Sequence, residues 1–395
     1  ARSAGRVQSV ALRLIVDREM EIEAFTPREY WSVSIDATTP DKDRFSAKLI
    51  NLDGKKLGKF DLNNEASALQ AVEKIKTQDF RVTSVDAKPT KRHPQPPFTT
   101  STLQQEAARK LGFSATRTMQ VAQKLYEGIN IQGETTGLIT YMRTDGVQMA
   151  GEAIAAARST IASEFGSEFV PDLPRAYKTK AKNAQEAHEA IRPTRLDRKP
   201  STVTHALDRD QLRLYELIWK RAIASQMESA RIERTVVNLG SKDDQIVLRA
   251  TGSVISFPGF LKLYEEGIDD EKADENGKRL PPMKVGDEPA IDKVLPAQHF
   301  TEPLPRFSEA SLVKKLEELG IGRPSTYASI LSVLRDRNYV RTEKNRFIPE
   351  DKGRLVTAFL ENFFDRYVEF GFTAALEEQL DLVSDGKADW KEVLT

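Results

Sequence analysis

The chain has 395 residues, too many for one compact core and enough for roughly two to four domains. With 39% hydrophobic and 30% charged residues it does not read as a disordered chain, and no apolar run approaches the ~20 residues of a membrane span. A formal net charge of +0 argues against a uniformly basic nucleic-acid binder, and zero cysteines exclude disulfides and cysteine-based zinc sites. His93, His188, His205 and His299 are spaced too widely for a histidine metal site, no signal peptide is visible, and a cytoplasmic compartment is expected. The chain starts at Ala1 without methionine and stops at Thr395, just after a helix-like stretch, so both ends read as cut from a longer protein.

Taken in order, residues 1 to about 28 read as one helix, with Val7, Val10, Ala11, Leu14 and Ile15 as its apolar stripe and Pro27 as its end. The small, polar run Ser3–Ser9 ahead of the stripe could turn backbone N–H groups toward an anion with help from Arg6 and Gln8, or could simply cap the helix. From Tyr30 the period becomes two: Trp31, Val33 and Ile35, then Phe45, Ala47 and Leu49, with Asp53-Gly54 as a turn. A helix at about 64–77 and a strand Phe80–Val85 complete a β-rich unit. Three prolines within Pro94–Pro97 then force an extended connector.

Beyond it the pattern is helical. Ser101 and Thr102 have capping-box spacing to Gln104 and Gln105, Gly112 ends that helix, and Ser114 to Gly128 bounds a second. Thr135–Ile139 reads as a short buried strand, and if the run Thr140–Asp145 after it is extended, Tyr141, Arg143 and Asp145 point to one face. A phenol, a fixed cation and a carboxylate so placed could attack and grip a phosphate, or could be a tyrosine beside an Arg–Asp ion pair. His188 lies between Glu186 and Glu189, which could raise its pKa and keep it charged, or it is an ordinary surface histidine.

Strands return at Thr235–Leu239, Gln245–Ala250 and Val254–Phe257. The order β, helical, β predicts a helical domain inserted into a β platform through crossings near 90–100 and 228–234, a piece able to swing as a unit. The acidic run Asp269–Asn276 is read as a solvated loop in preference to a magnesium site. Finally, Ser308 and Gly320 bound a helix, Ile321–Pro324 turns, a helix through Ile330 and Leu334 follows, and Tyr339–Ile348 reads as a hairpin. Helix, turn, helix and wing is a DNA-binding arrangement, here supplied with Arg323, Arg335, Arg337, Arg341, Lys344 and Arg346; a packing αα-hairpin is the other reading.

Four stretches, Ser3–Ser9, Leu138–Asp145, Glu186–Thr194 and Gly322–Ala328, resemble in the same order the signature segments of type IA DNA topoisomerases in their bacterial topoisomerase I form. The resemblance covers essentially the whole chain. It implies an α+β multidomain toroid in which a β-rich platform carries an inserted helical domain, with a helical winged-helix-like domain formed from both chain ends. The corresponding division is 1–29 (helical segment of the DNA-binding domain), 30–98 (platform, first part), 99–228 (helical insert), 229–297 (platform, second part) and 298–395 (winged-helix-like domain).

The same resemblance implies Tyr141 as nucleophile with Arg143 and His188 as catalytic partners, and Arg6, Gln8, Asp145, Arg192, Arg323, Ser325 and Thr326 as DNA contacts. The implied reaction is ATP-independent relaxation of negative supercoils through a 5′-phosphotyrosine link, strand passage and religation; no Walker-type phosphate loop is present. The implied partners are single-stranded and negatively supercoiled DNA, for a monomer in the cytoplasm associated with the nucleoid. In this family Mg²⁺ is held by a domain preceding the Ser3–Ser9 words, with a glutamate and an Asp-x-Asp motif. Those acidic ligands are absent from these residues, so the fragment alone is expected to bind single strands weakly and not to cleave and reseal efficiently. The rival reading is a non-catalytic helix-turn-helix DNA-binding protein.

Overall fold

The computed structural model describes residues 5–131, 133–178, 188–269 and 279–393. Helix α1 (Arg6–Ala24) buries Val10, Ala11, Leu12, Leu14, Ile15 and Val16. It stops short of the expected end near residue 28, because Phe25 is already extended ahead of the Thr26–Pro27 bond, which disfavours helix in the residue before proline.

The β platform begins with β1 (Glu29–Thr38), β2 (Arg44–Leu52) and β3 (Lys55–Lys56). Asp53 and Gly54 take φ of 53° and 73°, the paired left-handed conformation of a two-residue hairpin turn. Helix α2 (Glu65–Lys76), capped reciprocally by Asn64 and Ser67, lays Ala68, Ala71, Val72 and Ile75 on the sheet. Strand β4 (Phe80–Arg92) runs well past the expected Val85 because every step to Arg92 finds a partner on the returning strand.

The helical insert opens with α3 (Thr100–Glu106). Its cap is Thr99, which exchanges bonds with Thr102; the expected starts at Ser101 and Thr102 lie one turn too late. The prolines hold the chain extended as far as Phe98, which bridges Ile191, so Thr99 is the first residue able to turn. A single π-turn at Ala107–Leu111 ends on Gly112 at φ 69°. Next come α4 (Ala115–Glu127, capped by Ser114), the small hairpin β5 (Ile129–Ile131) and β6 (Glu134–Thr136), α5 (Gly151–Phe165) and α6 (Arg209–Ser225). Phe98, Leu103, Leu125, Leu138, Ile139, Met142, Ile161 and Tyr215 lie in their common core.

The chain returns to the platform in β7 (Ala230–Ser241), β8 (Val247–Phe257) and β9 (Ala290–Phe300). The two short strands expected at 245–250 and 254–257 are one, since Thr251, Gly252 and Ser253 keep their register against β7. Among the described residues the sheet has order β4-β7-β8-β2-β1-β9 with β3 paired to β2, all pairs antiparallel.

The two crossings between platform and insert are bonded to each other. Tyr177 Oη donates to Ser225 O at 2.7 Å and to Pro94 O at 3.3 Å, and burial pushes its pKa up to about 12. His93 Nδ1 meets Ser229 Oγ at 2.8 Å, and Arg221 Nε donates to Pro96 O at 2.5 Å.

The last module contains α7 (Glu309–Leu319), α8 (Tyr327–Asp336), β10 (Val340–Glu343), β11 (Arg346–Pro349), α9 (Asp351–Phe363), α10 (Asp365–Val368), α11 (Phe370–Ser384) and α12 (Trp390–Val393). Ser308 caps α7 and Gly320 ends it at φ 72°. Leu312, Leu316, Ile330, Leu334 and Phe347 share one core with Leu12, Ile15 and Val16 of α1, so residues from near both ends of the chain pack together.

Candidate nucleic-acid and strand-transfer site

Of the strand expected at 135–139 only Thr135 and Thr136 are in one, at the end of β6, and residues 138–145 run on without a ladder. Their neighbour is the segment Ala190–Thr194, too short for a ladder and interrupted by Pro193, so pairing reduces to one bridge, Ile139 to Pro193. Other bonds replace the ladder. Thr140 N–H donates to Arg192 O at 2.9 Å and its hydroxyl to Ala190 O at 2.7 Å. On the opposite side Thr100 Oγ1 donates to Met142 O at 2.7 Å and accepts from Thr144 N–H at 2.8 Å. Burial still alternates: Met142 and Thr144 are inward at 1% and 3% exposure, Tyr141 and Asp145 are half-buried, and Arg143 is exposed.

The Tyr141 ring stands between two others. Its centroid lies 5.4 Å from that of Tyr126, edge to face, and 5.3 Å from that of His188. The approach of His188 depends on Gly146, where an added Cβ would fall on the His188 carbonyl oxygen. Glu189 does not serve His188 as expected. Its carboxylate accepts from Arg192 Nε at 2.6 Å and Ala150 N–H at 3.2 Å, and no ion pair joins it to the histidine among the described residues. Burial alone would raise the Glu189 pKa, but these two bonds hold it below the usual carboxylate range. Glu186 lies outside the described residues. Arg192 is 7% exposed and also donates to Pro193 O at 3.0 Å, which makes it a strut under Thr140 that a phosphate reaches only by displacing Glu189.

Across from this segment is the turn Gly322–Thr326. Arg323 N–H donates to Thr326 Oγ1 at 2.8 Å, while Ser325 is exposed. The Arg323 guanidinium is held by Asp381 at 3.0 Å (Nε) and 2.5 Å (Nη2), with Glu377 at 3.7 Å. Burial pulls its pKa down, and the two carboxylates outweigh that and raise it. Glu377 also accepts from Arg6 at 2.9 Å, so Arg6 and Arg323 share a carboxylate; Gln8 Oε1 of the same helix as Arg6 is buried without a partner among the described residues.

A cavity of about 470 Å³ between the two sides is lined by Ser101, Thr144, Asp145, Glu317, Arg323 and Tyr327, among others. Burial pushes Asp145 up, against the pull of Arg323 and His188. Glu317 is raised chiefly by burial too, although Ser101 donates to it at 2.7 Å. The two sides also meet where Glu309 accepts from Ala115 N–H at 2.7 Å and where Thr116 and Ser332 hydroxyls lie 2.8 Å apart. The structure therefore brings Asp145 into one cavity with Arg323, ties Arg6 to Arg323 through Glu377, and sets Tyr141 beside His188.

Sequence reasoning missed the acids Glu317, Glu377 and Asp381, which partner groups far away in the chain and carry no local signature. It also misread Asp269 as part of a solvated loop. Asp269 accepts from Arg109 at 2.8 Å and Ser308 Oγ at 3.1 Å; burial raises its pKa, but Arg109, Ser308 and Arg346 together outweigh this and lower it. Residues 270–278 of that loop lie outside the described residues. Several cations of the helix-turn-helix are neutralised within their own module, Arg335 by Glu309 and Arg341 by Glu343 and Glu350. Among the described residues no group of three or more His, Asp or Glu could hold a metal ion, and no helix is long and apolar enough to cross a membrane.

Comparison with known proteins agrees across the chain. A family model described as DNA topoisomerase matches residues 1–395. The DNA topoisomerase 1 of Rickettsia felis is 56% identical over 393 residues, which are 100% of this chain and 50% of that protein. That of Zymomonas mobilis is 58% identical over 398 residues, 100% of this chain and 32% of that protein. The structure of full-length topoisomerase I from Thermotoga maritima superposes with a TM-score of 0.81 at 36% identity, covering 99% of this chain and 61% of that one. The chain thus spans about half the length, or less, of these curated relatives.

Proposed function

The chain belongs to the DNA topoisomerase family, and from that premise we propose that it is the strand-cleaving core of an ATP-independent type IA enzyme that relaxes negatively supercoiled DNA. The observation that carries this reading is the pairing across the cavity: Thr144 and Asp145, at the end of the segment that carries Tyr141, line it together with Arg323 of the last module. A nucleophile on one body and a phosphate-binding turn on another suit a site that must part and close again.

Tyrosine ionises near pH 10, so it attacks at neutral pH only with help. Exposed Arg143 offers a fixed cation to the phosphoryl oxygens, and His188, its ring tilted against that of Tyr141, a second polar group. In the reaction Tyr141 Oη bonds to phosphorus as the bond from phosphorus to the 3′ oxygen breaks. The phenolic proton leaves, and the 3′ oxygen departs as a hydroxyl. One phosphoester replaces another, so the break is resealed by the reverse attack without ATP. Arg6, Gln8, Arg192, Arg323, Ser325 and Thr326 are the proposed contacts to the single strand, with Asp145 between the two sides. The acidic Mg²⁺ ligands of the family are assigned to residues beyond this chain, and no step above runs through the ion. On this reading the chain by itself binds single strands weakly and does not relax supercoils.

The test is denaturant trapping of the covalent complex with end-labelled single strands, using the full-length protein that contains this chain. Label should remain on the protein through the 5′ phosphate and disappear in Tyr141→Phe. An adduct that survives that substitution places the nucleophile elsewhere, and robust Mg²⁺-dependent relaxation by residues 1–395 alone overturns the incompleteness of the core.

A further inference from the structure

Tyr126 has no role in the reaction above, yet the local fold sets it against the nucleophile. The buried face of α4 is Ala115, Thr118, Val121, Ala122 and Leu125, and the Tyr126 ring stands off that face at 40% exposure. After α4 the β5–β6 hairpin folds the chain back, so that Leu138 N–H donates to Leu125 O at 2.7 Å. The return is so close that a Cβ at Gly137 would come within 2.7 Å of Tyr126 O. Tyr126, Tyr141 and His188 thereby form one row of rings, with centroid spacings of 5.4 and 5.3 Å and the nucleophile in the middle.

A ring that only propped Tyr141 would be covered by what it supports. Tyr126 instead keeps two-fifths of its surface in water at the edge of the site, and Arg143, two residues from Tyr141, is exposed as well. A partly exposed ring against the nucleophile, whose own segment carries an exposed cation, supplies both of the groups that an unpaired nucleobase and its phosphate require, and such stacking tolerates any base.

We propose that Tyr126 is a base platform: the nucleobase adjoining the phosphate attacked by Tyr141 stacks on the Tyr126 ring and sets the register of the strand on the nucleophile. This rests on Tyr141 being the nucleophile. It calls on the ring and not on the hydroxyl, so phenylalanine should replace Tyr126 and alanine should not.

The experiment uses the full-length protein carrying Tyr141→Phe, so that binding is read without cleavage, and single strands with 2-aminopurine moved one position at a time. Quenching of the fluorophore should peak at one position. Tyr126→Phe should keep that peak and bind within about twofold of the parent, whereas Tyr126→Ala should lose it and bind about tenfold more weakly. Tyr126→Leu, which fills similar space without a π face, should behave like the alanine variant and guards against a mere folding defect. A quenching peak unchanged in Tyr126→Ala and Tyr126→Leu overturns the proposal, as does a phenylalanine variant as weak as alanine. Failure of the underlying reading shows differently, as an adduct that persists without Tyr141 or as no single-strand binding by the parent.

Discussion

The two sides of the cavity treat their cations in opposite ways. On the insert, Arg143 is exposed and His188 leans on Tyr141 with no ion pair among the described residues. On the last module, Arg323 is gripped by Asp381 and Glu377, and Arg6 is tied to the same Glu377. The module side holds its arginines with carboxylates, and under the proposed function an incoming strand would have to displace them. Charge-assisted pairs of this kind orient a guanidinium at the expense of its availability. One side therefore leaves its cation exposed, and the other keeps its cations in ion pairs.

Five experiments break or sharpen that contrast. Tyr141→Phe should abolish the covalent adduct in the full-length protein while single-strand binding, measured by anisotropy, stays largely intact. Arg143→Ala should slow adduct formation by about a hundredfold, the scale for losing one preorganised charge at a developing transition state; a loss below threefold would show that the exposed cation is idle. Gly146→Ala should push the His188 backbone away and reduce adduct formation about tenfold, the scale of a small misplacement of reacting groups, without unfolding the insert by circular dichroism. Asp381→Asn should loosen the grip on Arg323 and tighten single-strand binding about threefold, with a steeper salt dependence as one more cation meets phosphate. Unchanged affinity would mean that Asp381 is no competitor.

The smallest effect concerns Glu317. Its pKa in the fold is raised from an ordinary value of 4.5, chiefly by burial, so the neutral acid is the form the fold prefers. That preference is fully present below the ordinary value, and stability falls as pH rises through the raised one. Glu317→Gln removes the penalty, and its Tm should exceed the parent's by about a degree or two at pH 8, the two converging near pH 4. A gain that persists undiminished at low pH would trace to packing instead.

Much of the frame was legible because it is locally encoded. Ser114, Ser308, Gly112, Gly320 and Asp53-Gly54 announce their ends and turns through groups within a few residues. The Tyr141 segment was misread because apolar alternation marks burial on one side and says nothing about whether a partner strand exists. Here the partners are Thr100 and the Ala190–Thr194 segment, more than 40 residues away in each direction by their separations of 42 and 50. Thr99 was missed as a cap because the proline run, not the cap motif, decides where the chain can first turn. The stretches around Tyr141 and His188 stood out only by resemblance, and spacing alone left Tyr141 an ordinary tyrosine beside an ion pair. That ion pair is not formed: Arg143 is exposed while Asp145 faces Arg323.

The clasp at the root of the insert has a mechanical consequence. With Tyr177, His93 and Arg221 lacing the two crossings together, the root behaves as a welded joint and not as a pair of loose threads. Any rotation of the insert as one body then loads the antiparallel β4–β7 pair, which continues from that joint through the whole of β4. Under the proposed function that pair is where twist would collect as the cavity parts, a torsion bar that would return it on closing.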